Sequence, residues 1–385
     1  MHIIFFAAFY YPYRGGYVES IYEVSHGLVR RGFTVTIVTC NTHAIAEEEN
    51  HEGVRVVRIP CWSPAWLHSS FPLPKPWAIF SFLWRFRGCR LDAIITETRF
   101  YPTTLLGFLI GFFRRIPVVH VEQGSCHPAS HNFLIRWMGL LVDHTFGSVV
   151  CRSATVTVGV SAEAAAFARH LGARNPFVIY NPVDIAFWHS QSLVYTKDDF
   201  FRILFVGRLV YAKGAQDLLY SLVSLRASLT QKEFSRLRCI VIGDGPYRAS
   251  LVRLIESLSL SQVVIFLGEC GRAAIREELW QASVFVNPSY SEGLPVCVLE
   301  AAACAVPIIA TDVGGTREII SAGCGLLILP RSPDALAGGI ARALRYPAEF
   351  RRYGIAARAR SEDFFSTPHI VDAYESTLRS ATCHA

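Results

Sequence analysis

Short apolar runs rich in β-branched and aromatic residues alternate with segments of helical periodicity over the first half of the chain. The first run, 2–9, predicts a buried strand, and 17–31 predicts a helix with Ile21, Val24 and Leu28 on one face. Further strands are predicted at 34–39, 54–59, 93–96, 117–122, 155–160 and 177–180, and further helices at 103–115, 133–151 and 162–171. This alternation indicates a parallel sheet that is covered by helices on both faces.

A polar, irregular stretch, 181–200, separates this pattern from a second one. After it, six strands are predicted to begin near Ile203, Cys239, Val263, Ser283, Pro307 and Leu326. We therefore predict an α/β fold with two doubly wound Rossmann-like domains, 1–185 and 200–366, and a linker at about 185–200.

The last predicted helix, 367–378, follows a polar stretch and is expected to cross back, so that 367–385 pack on the first domain. Doubly wound sheets bind ligands at the carboxyl ends of their strands. If the two domains face each other, those strand ends border one cleft, where we expect the function to lie.

The composition agrees with two ordered domains. The chain has 385 residues, of which 51% are hydrophobic and 18% charged, and a formal net charge of +6. The basic excess is sharper in 71–175, with 11 Lys and Arg against 5 Asp and Glu, and this region is rich in Phe, Trp and Leu. That combination fits a membrane surface better than nucleic acid. A basic solvated face over an ordinary core is the alternative.

Cysteine usage and the apolar runs bear on location. Eleven cysteines, scattered without a CxxC pair or a Cys/His cluster at zinc spacing, indicate reduced thiols in a cytoplasmic protein and predict no metal site. The apolar N-terminus lacks the basic n-region of a signal peptide, so we interpret it as a strand. The longest apolar run, 103–113, is about half the length that a membrane-spanning helix needs.

The stretch 289–303, SYSEGLPVCVLEAAA, carries the most distinctive candidate chemistry. Pro295 suits the first position of a helix, which leaves Glu292 and Gly293 in the preceding loop and Glu300 about a turn and a half inside. A helix start approached through a glycine can bind phosphate. Glu300 can then accept hydrogen bonds from ribose hydroxyls, and Glu292 from those of a sugar. The alternative is a surface loop and a core helix with two incidental acids.

Three strand ends in the second domain suggest contacts with a nucleotide. Gly207 and Arg208, followed by Lys213, combine a glycine turn with two cations suited to a diphosphate. The turns at Gly243 and Gly268 let the backbone approach a ligand or its base. Solvated cations and simple turn chemistry are the alternatives.

Two strand ends in the first domain are also candidates. Gly15 and Gly16 follow the first strand and can present backbone amides to a phosphate, although the sequence GGYVES is not a GxGxxG fingerprint. His120 and Gln123 lie in HVEQG at another strand end, where an imidazole or carboxylate can orient an acceptor or take its proton. A flexible turn and a satisfied core histidine are the respective alternatives.

These motifs together resemble the retaining nucleotide-sugar glycosyltransferases of the GT-B fold, of the family-4 type (group 1). The resemblance rests on the Gly-Gly turn, NPVD at 181–184, GRLVYAKG, GDGP, SEGLPVCVLEAAA and TDVGGTREII at 311–320. The glutamate pair Glu292 and Glu300, with seven residues between, is that family's signature.

The resemblance implies a role for each matching residue. Arg208 and Lys213 would bind the donor diphosphate and stabilise it as it leaves, and Gly16 would approach the same group from the first domain. Glu300 would hold the ribose, and Glu292 the hydroxyls of the transferred sugar. The backbone of Gly293, Leu294 and Pro295 would contact the phosphates. No metal and no cofactor are expected, and a nucleoside-diphosphate sugar is the co-substrate.

One position departs from the family. Many members carry a histidine directly before the glycine of the HG element, and this chain has Gln123 there. Either Gln123 supplies only the hydrogen bond, or His120 or His127 takes over, or the activity is altered. The sequence also lacks the two close acids of a retaining hydrolase. The resemblance implies a same-face displacement assisted by the leaving phosphate.

The expected function is transfer of a hexose or related sugar to an acceptor at the cytoplasmic membrane face, such as a lipid-linked saccharide or an envelope polysaccharide precursor. Peripheral membrane association is expected from aromatic and basic residues in two segments: Phe80, Phe82, Trp84, Phe108, Phe112 and Phe113, with Arg85, Arg87, Arg114 and Arg115. The alternatives are a nucleotide-sugar epimerase, a nicotinamide-dependent oxidoreductase, which the missing GxGxxG disfavours, and a catalytically silent partner of another transferase.

Overall fold

The computed structural model describes residues 1–62, 71–127, 133–189, 200–321 and 323–383. The chain divides into two compact units. Unit 1 comprises Met1–Pro182 and Thr367–Ala385, and unit 2 comprises Val183–Ser366. Within the described ranges, no helix is both long and apolar enough to cross a bilayer.

Unit 1 is built on a mixed sheet. Its strands are β1 (His2–Phe6), β2 (Thr34–Asn41), β3 (Glu48–His51), β4 (Val54–Trp62), β5 (Leu73–Pro74), β6 (Ala93–Glu97), β7 (Val118–Glu122), β8 (Val156–Gly159) and β9 (Phe177–Val178). The order is β3-β4-β2-β1-β6-β7-β8-β9, with β5 paired to β4. All pairs are parallel except those of β3 and β5 with β4. The strand order reverses between β1 and β6, so a ligand is expected at the carboxyl ends of these two strands.

Helices cover the sheet of unit 1. They are α1 (Gly16–Arg30), α2 (Pro76–Phe86), α3 (Pro102–Arg114), α4 (Phe133–Val142), α5 (Ser148–Ser153) and α6 (Ala162–His170). Pro76 and Pro102 begin α2 and α3, at the position where a missing N–H costs no hydrogen bond. The apolar face of α3 packs on β1 and β6, because Gly107 brings its backbone against Phe6 and Thr96.

Unit 2 contains the six strands that the sequence predicted. They are β10 (Phe201–Val206), β11 (Leu237–Ile242), β12 (Val264–Gly268), β13 (Val284–Asn287), β14 (Ile308–Thr311) and β15 (Leu326–Ile328). All are parallel, in the order β12-β11-β10-β13-β14-β15. This is the common doubly wound order, with its reversal between β10 and β13. The predicted α/β fold class with two Rossmann-like domains is confirmed.

The remaining helices complete both units. Unit 2 holds α7 (Ile185–Trp188), α8 (Ala215–Ser228), α9 (Gln231–Ser235), α10 (Arg248–Ser257), α11 (Arg272–Gln281), α12 (Val296–Ala303), α13 (Thr316–Ile319), α14 (Pro333–Arg345) and α15 (Pro347–Phe364). The last helix, α16 (Thr367–Cys383), belongs to unit 1 and packs on α1. Gly27 allows close approach of Val371, and the Thr367 hydroxyl donates to buried Glu23 at 3.1 Å.

The structure corrects several predicted elements. The expected helix 133–151 is α4 and α5 separated by a π-helical turn, Asp143–Gly147. Local periodicity cannot register such a turn, because it changes the repeat for only a few residues. The strand β1 ends at Phe6, three residues earlier than predicted, and β3, β5 and α2 were not predicted. The Pro/Trp-rich residues 63–70 lie outside the described part of the chain.

The predicted linker is also partly wrong. Residues 185–188 form α7, with Asp184 as its cap, and Trp188 is buried in unit 2. The Trp280 indole N–H donates to the Trp188 carbonyl at 3.1 Å, which fixes this segment to α11. The apolar pair Phe187 and Trp188 explains why the segment is folded. Residues 190–199, the rest of that linker, lie outside the described ranges.

Candidate active site

Two loops meet at the strand-order reversal of unit 2. One follows β10 and runs from Gly207 to Gly214, and the other follows β13 and contains the SEGLP motif. The Tyr290 backbone N–H donates to the Ala212 carbonyl at 2.7 Å, which joins the loops directly. The sheet order therefore brings together two motifs that are about 80 residues apart in sequence.

The side chains of Lys213 and Glu292 form an ion pair where these loops meet. Lys213 Nζ lies 2.6 Å from Glu292 Oε1 and 2.8 Å from Oε2, and the Ser289 hydroxyl donates to Oε1 at 2.6 Å. The side chain of Lys213 is 25% exposed and that of Glu292 is 8% exposed. Burial alone would lower the pKa of Lys213, but the Glu292 carboxylate outweighs it and raises that pKa. The lysine therefore remains a fixed positive charge at neutral pH.

The sequence did not predict this pair. The family resemblance implies that Lys213 binds the donor diphosphate and Glu292 the hydroxyls of the transferred sugar. The ammonium group has three N–H donors, and Glu292 uses two of them. The third is available to an anionic oxygen. The Glu292 carboxylate, which accepts three hydrogen bonds from Lys213 and Ser289, is held in one orientation.

Gly214 makes the approach of the two loops possible. It has a left-handed φ of +69°, and a Cβ there would lie 1.9 Å from the Pro288 carbonyl oxygen. Only glycine fits both the backbone conformation and the space. Gly214 also caps α8, so the lysine directly before it is fixed by the start of a 14-residue helix.

Replacing Gly214 by alanine is expected to destabilise unit 2 far more than the same change at Gly268. Both glycines have a similar φ, +69° and +72°, so each substitution has a left-handed backbone cost of roughly 1–2 kcal/mol. Only Gly214 adds a clash, because no atom lies within 4 Å of a Cβ at Gly268. Thermal unfolding of the two variants measures the difference. Equal midpoints would contradict the close approach of the loops.

Three predicted glycines, Gly207, Gly243 and Gly268, lie at the ends of neighbouring strands. The Gly243 N–H donates to the Gly268 carbonyl at 2.7 Å, and a Cβ on Gly243 would lie 2.0 Å from the Gly207 carbonyl oxygen. The Leu209 N–H donates to the Asp244 carbonyl at 2.8 Å. The turns therefore form one interlocked backbone surface, and exposed Arg208 projects from the same loop.

The start of α12 differs by one residue from the prediction. The helix begins at Val296, and Pro295 is its N-cap with φ −71° and ψ 107°, an extended conformation. Proline favours this φ equally well at either position. Gly293 accepts a backbone hydrogen bond from Gly315 at 2.7 Å, and Leu294 is buried, so both residues can offer only backbone groups to a ligand. Glu300, 8% exposed, lies roughly 6 Å along the helix from its first residue.

A polar network next to this loop was missed by the sequence analysis. The Tyr290 hydroxyl donates to Asp217 Oδ1 at 2.8 Å and accepts from Gln216 Nε2 at 2.8 Å. The Arg331 guanidinium lies 4.6 Å from the centre of the Tyr290 ring. Burial raises the pKa of Tyr290, and the Asp217 carboxylate adds to this effect. No local motif marks Asp217, because its partner is distant in sequence.

In unit 1, a chain of polar side chains holds Gln123 near the carboxyl ends of the central strands, where the strand order reverses. Its Nε2 donates to Glu97 Oε2 at 3.0 Å, and its Oε1 accepts from Asn181 Nδ2 at 3.4 Å. Asn181 accepts from the Ser20 hydroxyl at 2.9 Å. Ser20 lies in α1, one turn after Gly16, so the predicted Gly15-Gly16 turn lies near the same strand ends. The amide of Gln123 therefore has a fixed orientation.

Glu97 was not singled out in the sequence, yet it is the most perturbed acid of this network. Burial raises the pKa of Glu97 to about 8, the hydrogen bond from Gln123 opposes this effect, and the charge of Glu122 adds to it. The carboxyl group is therefore largely protonated at neutral pH.

Glu97→Gln is expected to flatten the pH dependence of the free energy of unfolding. Between pH 4.5, the ordinary pKa, and pH 8 the folded chain keeps a proton that the unfolded chain has lost. Rising pH therefore destabilises the wild type over this window, by up to roughly 1.4 kcal/mol per pH unit. Denaturant titrations of both proteins across the window give the difference. Parallel profiles would show that Glu97 ionises normally.

His120 does not lie at an accessible strand end, which corrects the prediction. Its ring is fully buried within β7, with Nδ1 3.0 Å from the Thr96 hydroxyl. All five residues of β7 are buried, because neighbouring strands and helices enclose it. Contact with an acceptor needs an exposed atom, so Gln123 is the accessible residue of this motif. His127 is 28% exposed and pairs with Asp143.

A buried ion cluster supports the Gln123 strand end. Arg99, 2% exposed, donates to Glu122 Oε1 at 2.7 Å and to Asp143 Oδ1 at 2.7 Å. Burial would raise the pKa of Glu122, but Arg99, with His120 and the Gly124 amide, holds it below its ordinary value. Glu122 therefore remains charged beside the Arg99 guanidinium.

Comparison with known proteins decides the family. Residues 187–360 match the family described as "Glycosyl transferases group 1", and residues 15–183 match the "Glycosyl transferase 4-like domain". Together these matches span most of both units. The chain belongs to the group 1, family-4-type glycosyltransferases.

This glycosyltransferase is similar to proteins of several kinds. A phosphatidylinositol N-acetylglucosaminyltransferase subunit of Arabidopsis thaliana is 26% identical over 89% of this chain and 74% of that protein. The structure of sucrose-phosphate synthase from Thermosynechococcus elongatus has a TM-score of 0.81 at 19% identity, covering 100% of both chains. Anabaena HepE in complex with UDP-glucose has a TM-score of 0.75 at 19% identity, covering 99% of this chain and 100% of that one. The two structures support the GT-B fold that the sequence predicts for this glycosyltransferase.

Proposed function

We propose that this glycosyltransferase moves a hexose, with retention of configuration, from a nucleoside-diphosphate sugar to a lipid-linked or envelope saccharide at the cytoplasmic membrane face. The observation that carries the donor part is the Lys213–Glu292 pair at the strand-order reversal of unit 2. Doubly wound sheets bind ligands at the carboxyl ends of their strands, at the point where the strand order reverses.

Positive charge at these strand ends suits a nucleoside diphosphate as the leaving group. Cleavage of the anomeric bond releases a nucleoside diphosphate, which gains negative charge as the bond breaks. Lys213, with one N–H donor not used by Glu292, and Arg208 can stabilise that charge, together with the first-turn amides of α12. Because these groups supply the positive charge, we propose that the donor site requires no metal. Chelator-treated protein should then keep its donor affinity.

The two glutamates suit the two ends of the donor. Glu292 accepts hydrogen bonds from Lys213 and Ser289, which suits it to orient a sugar hydroxyl rather than to attack carbon. Glu300, deeper along α12, is proposed to hold the ribose. With no carboxylate assigned as nucleophile, retention would arise by attack from the face that the phosphate leaves. Gln123, oriented by Glu97 and Asn181, is proposed to hydrogen bond the acceptor.

A nucleotide panel tests the donor proposal. We would measure binding of UDP, GDP, ADP, NAD and NADP by calorimetry, beginning with UDP because HepE binds UDP-glucose. Binding of one nucleoside diphosphate supports the proposal and identifies the base. A response to NAD instead, or to none in a folded sample, would overturn it.

Product analysis separates transfer from the alternatives. The matching sugar nucleotide is incubated alone and with saccharide acceptors. An epimerised donor without acceptor would establish an epimerase, and donor binding without any product would favour a silent partner. A product that retains the anomeric configuration of the donor supports the proposed reaction.

The proposed membrane contact rests on exposed aromatic residues of α2 and α3. Phe112 and Phe113 are 79% and 77% exposed, and Phe80 and Trp84 on α2 are 73% and 67% exposed. Phe82 and Phe108, two of the residues predicted to face a membrane, are instead in the core of unit 1. Arg87 stacks on Trp84 at 4.8 Å, so a cation accompanies this surface. An interfacial helix in an anionic membrane has this combination.

Phe112→Ser with Phe113→Ser is expected to lower affinity for vesicles roughly tenfold or more, because each exposed ring gains free energy on leaving water. The measurement is co-sedimentation with phosphatidylcholine vesicles, with and without phosphatidylglycerol. Leu329→Ser, at a 72% exposed apolar residue of unit 2, is the matched control. Equal loss in the control variant, or no binding by the wild type, would contradict membrane contact through α3.

A further inference from the structure

Three histidines from separate segments of unit 1 converge on one point. His127 follows β7, His144 lies in the π-helical turn, and His170 is the last residue of α6. Their ring centres are 5.4, 6.1 and 6.1 Å apart, and one potential ligand atom from each lies within 4.8 Å of the others. His144 and His170 are exposed and His127 is partly buried, so the point is open to solvent.

The orientation of His127 is fixed by a buried acid. Its Nδ1 lies 2.6 Å from Asp143 Oδ2, and Asp143 is 1% exposed. Arg99 donates to both oxygens of that acid, at 2.7 and 3.1 Å. Donation from Nδ1–H to Asp143 leaves the Nε2 lone pair of His127 available. A carboxylate behind a histidine in this way is a common feature of metal sites.

The local backbone also favours the convergence. The π-helical turn places Asp143 and His144 next to each other, one directed to Arg99 and the other to the cluster. Single π-helical turns inside helices occur frequently at functional sites. Gly147 in the same turn leaves room for Arg99, whose Cδ would lie 3.3 Å from a Cβ there. Phe167 packs edge-on against His127 at 5.0 Å, which limits rotation of that ring.

We propose that His127, His144 and His170 bind a divalent transition-metal ion of the zinc class. Neutral imidazole is a preferred ligand of Zn²⁺, Cu²⁺ and Ni²⁺. For metal–nitrogen distances of about 2.0–2.1 Å in tetrahedral geometry, three imidazole ring centres lie roughly 5 Å apart. The observed spacings of 5.4–6.1 Å therefore require only small rotations of the two exposed rings. Three protein ligands leave the fourth position to water or to an oxygen of a bound molecule.

The bound ion would join three segments that the sequence separates. By fixing His127, it would also help to hold Asp143 in place. Arg99 and Glu122 connect Asp143 to the strand end that carries Gln123. The site is independent of the proposed donor site, because all of its residues belong to unit 1. Metal binding therefore tests this inference whether or not the protein binds a nucleotide.

The test is titration of untagged, metal-free protein with Zn²⁺ by calorimetry and with Co²⁺ by visible absorption. We expect one equivalent to bind, with the intense visible bands of four-coordinate cobalt, and His144→Ala and His170→Ala each to weaken binding roughly 100-fold. His369→Ala, at an exposed histidine of α16, is the matched control and should bind as the wild type does.

Both ligand variants change exposed side chains, and circular dichroism would confirm that they fold. Binding that His144→Ala and His170→Ala leave unchanged would overturn the proposal, as would equal weakening in His369→Ala. The absence of Zn²⁺ and Co²⁺ binding in the folded wild type would overturn it as well.

Discussion

Replacing Lys213 by alanine is expected to lower the rate of sugar transfer by roughly 10²–10³, the effect of removing one fixed charge that stabilises a leaving anion. The change removes the ammonium group and leaves Glu292, 8% exposed, without its cation. Affinity for the nucleoside diphosphate should fall at the same time. Initial rates of nucleoside-diphosphate release and calorimetry with that nucleotide measure the two effects.

Lys232→Ala is the matched control, because Lys232 is an exposed residue of α9 in the same unit. The double variant Lys213→Met with Glu292→Met separates a catalytic charge from a structural ion pair. If the lysine serves only to neutralise Glu292, removing both charges restores nucleotide binding, since an apolar pair can replace a buried ion pair. Recovery of binding and rate in the double variant would contradict a direct role for Lys213.

Arg99→Ala is expected to destabilise unit 1 by roughly 3–5 kcal/mol, because truncation leaves two buried carboxylates without their cation. Arg99 donates hydrogen bonds to Glu122, to Asp143 and to the Cys126 carbonyl, so one guanidinium serves both carboxylates. Thermal unfolding monitored by circular dichroism gives the measurement. Unit 1 should unfold at the lower temperature, while unit 2 keeps its own midpoint.

Arg90→Ala is the control for this substitution. The side chain of Arg90 is 94% exposed and its nearest acid, Asp92, is 3.7 Å away, so the expected change is under about 1 kcal/mol. Raising the concentration of salt should weaken the Arg90 contact and leave the effect of Arg99→Ala nearly unchanged, because buried pairs are little screened. Similar midpoints for the two variants would show that the Arg99 cluster contributes little to the stability of unit 1.

The elements of unit 2 could be predicted because its four central strands, β10, β11, β13 and β14, are largely buried and appear as continuous apolar runs followed by turns. The six predicted strands are all present. Unit 1 was harder, since β3 and β5 are short antiparallel additions and α2 follows a Pro/Trp-rich segment without a clear period. The π-helical turn changes the helical repeat over only five residues, too few for a periodicity to reveal.

The candidate site was predicted in its parts but not in its connections. Gly207, Lys213, Glu292 and Gly293 were selected because each occurs in a local motif at the end of a strand. The Lys213–Glu292 pair depends on β10 and β13 being neighbours, which follows from the sheet order. Glu97 and Asp217 carry no motif, and only their burial identifies them. The three histidines are spaced by 17 and 26 residues, a pattern that no metal-binding motif describes.

The packing of α16 on α1 has a consequence for the order in which the chain matures during synthesis. Val183 and Ser366 are joined by a β-bridge, so the two ends of unit 2 are adjacent and the whole of that unit is made before Thr367 is added. Unit 1, although begun first, therefore cannot complete its packing until all of unit 2 has been synthesised. The usual succession, in which the N-terminal domain is completed before the next one is made, does not apply to this chain.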